Sequence, residues 1–181
     1  CRAGGYDRDA LDYDLIERNA EAEVAAGRLR RSDFSFGKTM ARAFLGGYGG
    51  NRVHVIHPDA STSGGRTEAE LEGRRILMRL FRFFRTQPGL ENFHYTFIAS
   101  ECGIRETVTI VGCAKVTVDD YTGGRLWPDA LCYACYPIDI HMPGDEALDK
   151  LMLPPGVVPT IPRGALLPAD SRRLIVAGRS I

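Results

Sequence analysis

The chain has 181 residues, 44% of them apolar, and its 23 Lys plus Arg are balanced by 23 Asp plus Glu. This length and composition suffice for a sizeable core and exclude a disordered chain, and a formal charge of zero supplies no overall field toward nucleic acid or anionic lipid. No stretch reaches the roughly 18 consecutive apolar residues of a membrane-spanning helix, and no basic, apolar leader opens the sequence, so neither nucleic acid nor membrane is an expected partner.

Residues 1–9, CRAGGYDRD, read as turn-like. From about Asp12 to Ala26 helix formers dominate, and Gly27 is a natural stop. Residues 34–45 predict a second, short helix, and GGYGGN after it a flexible or closely approached loop. The clearest local signal is TEAELEGRRILMRLFRFFRTQPG. Thr67 with Glu70 reads as a capping box, Gly73, Leu77, Leu80, Phe81 and Phe84 recur at helical spacing, and Gln87-Pro88-Gly89 ends the run. The arginines at 74, 75, 79, 82 and 85 read as its solvated face.

The texture then turns to strands, near 92–100 and across 105–118, where TVTIV and KVTV alternate. Thr117 reads as the cap of one helical turn closed by Gly123 and Gly124. Trp127-Pro128-Asp129 leads into the extended run ALCYACYPIDIH, in which Tyr136, Ile138 and Ile140 share one face and Pro137, Asp139 and His141 the other. Six prolines follow, at 143, 154, 155, 159, 162 and 168, and RRLIVAG closes the chain as a short apolar run of the kind buried on both sides in parallel sheets. With Cys1 in place of Met at its start, the sequence reads as a piece of something longer.

The five cysteines, at 1, 102, 113, 132 and 135, lack the spacing of a disulfide scaffold and read as reduced thiols. In an extended run Cys132 and Cys135 point to opposite faces and do not chelate one ion, so no metal site is assigned to them. HVIHPDAS offers His54, His57 and Asp59 to a metal-dependent hydrolase, although in extended form His54 opposes the other two. There is no GxSxG elbow, no GxxxxGK[ST] and no GxGxxG that follows a strand and opens a helix.

Read in one piece, GIRETVTIVGCAKVTVDDYTGGRLWPDALCYACYPIDIH resembles the FAD-dependent oxidoreductase family widespread in bacteria. Gly103-Ile104-Arg105-Glu106-Thr107, Ile110, Gly112, Thr117, Asp120, Gly124, Asp129-Ala130 and Tyr136 through His141 fall on its pattern, as do TEAELEGRR upstream and LIVAGRSI downstream. The likeness is dense over 67–141, resumes over 161–181 and is looser over the first fifty residues. Cys135 stands where a small residue is usual, and Cys113 where an acidic one is common.

The resemblance implies an α+β fold: a mixed β-sheet substrate domain with helices mainly on one face, inserted into a two-domain Rossmann-type flavoprotein. Residues 1–160 would be the substrate-domain region and 161–181 the returning segment of the FAD-binding domain. The expected partners are a small-molecule substrate and an N-terminal Rossmann half of the same protein. That half would carry the glycine fingerprint absent here, so the cofactor, FAD, would be lacking from this chain on its own. By the same resemblance His141 is the candidate acid/base, Asp139 its orienter and Arg105 an anchor for anionic flavin or substrate, while Tyr136, Gly178 and Arg179 face the cofactor. The alternatives are the metal-dependent hydrolase and a noncatalytic interaction domain that binds a partner through its glycine and proline loops. Localisation stays open, with unpaired cysteines favouring the cytoplasm.

Overall fold

The computed structural model describes residues 1–34, 39–50, 52–55, 59–104, 108–140 and 149–181, with backbone alone at 139, 140, 149, 150 and 179. The chain is α+β and divides into two compact units, Cys1–Gly103 and, second, Ile104–His141 with Asp149–Ile181. Among the described residues no helix is long and apolar enough to cross a membrane.

The first unit is helical, with strand β1 (Arg2–Gly4), helices α1 (Tyr13–Ala25), α2 (Met40–Gly46) and α3 (Ser63–Phe84), and strand β2 (His94–Phe97). Asp12 caps α1 by accepting from the Leu15 N–H at 3.0 Å, and the helix buries Ile16 and Ala20, four residues apart on one face. Glu17 of α1 accepts from the Arg42 backbone at the start of α2, and Arg42 reaches back to Asp14 and over the Tyr13 ring. Residues 1–9, expected as turns, supply the three-residue β1, which pairs antiparallel with β2 as Arg2↔Phe97, Ala3↔Tyr95 and Gly4↔His94. A strand this short shows no alternation to read.

Helix α3 organises the unit. Ala69, Gly73, Ile76, Leu77, Leu80, Phe83 and Phe84 form its buried stripe, and Phe84 meets Phe44 and Phe93 at ring-centroid distances of 5.2 and 4.9 Å. The helix starts one turn earlier than Thr67 and Glu70 suggest. Thr62 is its cap, accepting from the Gly65 N–H, and Thr67 lies inside, bonded to the Ser63 carbonyl. Gly65 is no breaker there: a Cβ at that position would stand 1.9 Å from the Asp59 carbonyl oxygen, so only glycine lets the preceding loop pack against the first turn. At the other end the buried Gln87 accepts from Asn19 at 2.7 Å and donates to the Phe83 carbonyl. Of the five arginines, Arg79 departs from the solvated face expected of it: it binds the fully buried Asp33 through two hydrogen bonds, at 2.9 and 2.6 Å.

The second unit holds the short helix α4 (Val118–Thr122) and strands β3 (Ala130–Tyr133), β4 (Ile138–Ile140), β5 (Asp149–Leu151) and β6 (Thr160–Pro162). A single mixed sheet is not what its described residues form. β3 pairs antiparallel with β6 and β4 with β5, each as a two-stranded ribbon, with a register shift between Ala130 and Cys132. Pro159 and Pro162 flank or end the ladder at β6, where a missing N–H limits pairing to an edge.

Two predicted strands take other forms. The alternating 108–117 stretch is irregular, tied backbone to backbone by Cys113 to Leu167, Ala114 to Gly164 and, in reverse, Ala169 to Val111. RRLIVAG is irregular as well, with Leu174 and Ile175 exposed. An apolar strand of the parallel type needs a neighbour on each side and cover on each face. Neither segment has them among the described residues.

The buried apolar cluster lies wholly in the first unit. The second buries Pro159, Thr160, Pro162, Gly164 and Pro168 but leaves Val108, Val111, Leu126, Leu131, Met152 and Ile175 in solvent, Val111 at 80%.

Candidate functional site

The extended segment leading from β3 to β4 carries the motif the sequence singles out. Asp139 sits in β4 opposite Lys150 of β5, between the pairs Ile138↔Leu151 and Ile140↔Asp149. Asp139 thus holds the middle register position of the three-residue strand. Tyr136 lies just ahead of it, 65% exposed, and its carbonyl accepts from the Tyr121 hydroxyl of α4 at 2.8 Å. His141 and Arg105 lie outside the described residues.

Gly178 opens a single 3-10 turn, Gly178–Ser180, that includes the Arg179 backbone. Its φ of +76° is a left-handed conformation natural to glycine, and among the described residues, its two chain neighbours aside, no heavy atom lies within 4 Å of the place a Cβ would occupy. The backbone is therefore open to close approach by another group. Ser180 accepts from the Ile110 N–H at 2.8 Å, so the turn is joined to the stretch that follows Arg105 in sequence. The structure thus ties the 110 and 180 segments together, and the 121 and 136 segments together.

Next to these lies a polar arrangement in which the predicted Thr117 cap gains partners that motif reading overlooks, Arg125, Trp127 and Tyr121. Thr117 and Asp120 form the capping box of α4, and Asp120 also accepts from Arg125 at 2.8 Å. The Arg125 guanidinium stands 3.6 Å from the centroid of the Trp127 ring. Arg125, and then the Thr117 backbone, holds the Asp120 carboxyl well below its ordinary 3.8, at about 2. Burial raises the Tyr121 hydroxyl above its usual value, and the neighbouring Cys135 adds to the rise, so Tyr121 stays a donor throughout the physiological range. The Trp127 backbone N–H bonds the Thr160 hydroxyl at 2.9 Å, which fastens this group to β6.

Of the residues offered to a metal, Asp59 has other work. Asp59 accepts from both the Ser61 backbone and its hydroxyl, which lowers its pKa and shapes the turn before α3. His57 lies outside the described residues. Cys132 and Cys135 are free thiols, both exposed, and among the described residues no group of three or more His, Cys, Asp or Glu is placed to hold a metal ion.

The second unit of this α+β chain carries a glycine turn after the exposed Leu174 and Ile175. A family model described as FAD dependent oxidoreductase matches residues 3–181, nearly the whole chain, and the chain belongs to that family. It is thus a flavoprotein oxidoreductase sequence, and FAD is the family's cofactor. No curated protein and no solved structure matches it.

Proposed function

We propose that this chain is the substrate-domain portion of an FAD-dependent oxidoreductase and supplies one wall of the flavin and substrate site. In this reading a small-molecule substrate gives up a hydride equivalent, and residues 161–181 rejoin the flavin-binding half of the same protein. The boundary at 160 falls in β6, so the two parts share the β3–β6 ribbon. The observation that carries the reading is the exposure of Leu174 and Ile175 directly before the open Gly178 turn, in a chain of an FAD-dependent family.

The residues present suit one wall of a flavin site. Gly178 leaves its backbone bare toward an approaching group, and an arginine directly after it offers planar donors to phosphate oxygens. Tyr136 presents an exposed ring next to the strand that bears Asp139. When bound, FAD supplies the electron-pair acceptor for substrate oxidation.

The chain's own share of the chemistry is binding and proton handling. Arg105 anchors an anionic group of substrate or cofactor. His141 holds or removes the substrate proton near neutral pH, and Asp139, two residues before it in sequence, orients the imidazole. The test is a His141→Ala substitution in the complete gene product. It is expected to retain FAD while substrate-driven bleaching of the flavin slows by about 100-fold or more, the usual weight of a general acid or base. Bleaching at the parent rate would remove the role.

A further inference from the structure

We propose that Tyr121 is a positioning residue: through the Tyr136 carbonyl it sets the course of the chain into β4 and so the placement of Asp139. The inference takes its functional meaning from the flavin-wall reading above.

Pro137 stands directly before β4. Having no N–H, it cannot donate to a ladder where the chain enters β4, and the first ladder pair is Ile138↔Leu151. On the far side, β3 ends at Tyr133, and the Ala134 N–H bonds the Pro159 carbonyl at 2.9 Å. Tyr121 acts in the interval, donating its hydroxyl to Tyr136 at 2.8 Å across fifteen residues of chain.

A hydrogen bond positions a strand only if its own anchor is fixed, and α4 is held at several points. Thr117 Oγ1 accepts from the Asp120 N–H, and Asp120 Oδ2 accepts from the Thr117 N–H, closing the first turn on itself. Asp120 Oδ1 takes Arg125, and Arg125 lies over Trp127. The Trp127 N–H bonds Thr160 in β6, which pairs with β3. The circuit runs from α4 through Arg125 and Trp127 to β6, across to β3, along the chain to Tyr136, and back to α4 through the Tyr121 hydroxyl. Removing that one oxygen opens the circuit at the point nearest Asp139 and leaves the cap, the stack and both ribbons in place.

The experiment compares Tyr121→Phe with Thr122→Val in the complete gene product. Thr122 donates to the Val118 carbonyl within α4, so its loss perturbs the same helix without touching Tyr136. Three readouts are taken: amide hydrogen exchange in β4, flavin fluorescence and the melting temperature. For Tyr121→Phe, β4 amides are expected to exchange about 5-fold faster, the factor that one modest hydrogen bond supplies, and flavin emission to change, with the melting temperature held. Thr122→Val is expected to do neither. Unchanged β4 exchange in Tyr121→Phe, or the same acceleration in Thr122→Val, would overturn the proposal. Faster β4 exchange with flavin emission at the parent level would uphold the tie from Tyr121 to β4 and contradict the flavin-facing placement of that strand.

Discussion

Asp33 is an aspartate with no exposed surface, and its side-chain oxygens are met by several donors. Arg79 meets it with two hydrogen bonds, the Arg30 N–H with a third at 3.0 Å, and Glu72 holds Arg79 from the other side at 2.9 Å. The Asp33 hydrogen bond raises the Arg79 guanidinium further above its already high range. Removing one partner strands the other, so Arg79→Met is expected to destabilise the first unit by about 3–5 kcal/mol in urea unfolding. The double variant Asp33→Leu with Arg79→Met should recover part of the loss. Asp120 gives a residue-scale prediction of a different kind. Its folded-state pKa, about 2, lies below its ordinary 3.8, so its stabilising contribution is complete above the ordinary value and is lost as pH falls through the folded one. Because Arg125 joins Asp120 to Trp127, the chain's one tryptophan, indole emission is expected to shift between about pH 4 and pH 2 and to lose that step in Asp120→Asn. None of these partnerships is legible in the sequence. Asp33 and Arg79 are 46 residues apart, and neither RRSD nor LMRLF announces its mate.

At the scale of elements, the helices were readable because their signals are local. The helix formers from Asp12 to Ala26 with Gly27 as stop mark α1, and the Thr117 cap with Gly123 and Gly124 marks α4, while the Asp12 cap bond and the return bond from Asp120 come from the structure. For α3 the apolar stripe is legible from Gly73 to Phe84, while its first turn is not, because Gly64 and Gly65 look like breakers until the Asp59 carbonyl is seen against them. The stripe is expected to outweigh the cap. Phe84→Ala, at the centre of the aromatic cluster, should cost about 3–5 kcal/mol in chemical unfolding, and Thr62→Ala about 1 kcal/mol. Equal losses would contradict this account of α3. The strands were harder to read. Alternation over 108–117 and the apolar run before Gly178 record what a side chain is to be buried against, and a sequence states that preference without naming the partner. The motif residues Tyr136 and Asp139 were legible as an extended, two-faced segment, whereas Tyr121, which holds that segment, sits in DDYTGG with nothing to mark it.

Across the whole molecule the two units differ in how they meet water. The first closes around Phe34, Phe44, Phe84 and Phe93, all fully buried. The second carries large exposed apolar side chains, among them Val111, Met152 and Ile175, more than single scattered residues of a self-sufficient surface would supply. Under the proposed function, the flavin-binding half and the cofactor would cover those side chains. The chain alone is therefore expected to bind a hydrophobic dye strongly and the complete protein weakly, and strong binding by both would leave the surface without its proposed cover. The most direct measurement is the visible absorption spectrum of the complete gene product, with release and identification of its chromophore. An oxidised-flavin spectrum and released FAD are expected. A protein that is colourless, and stays colourless after incubation with FAD, would contradict the proposed function.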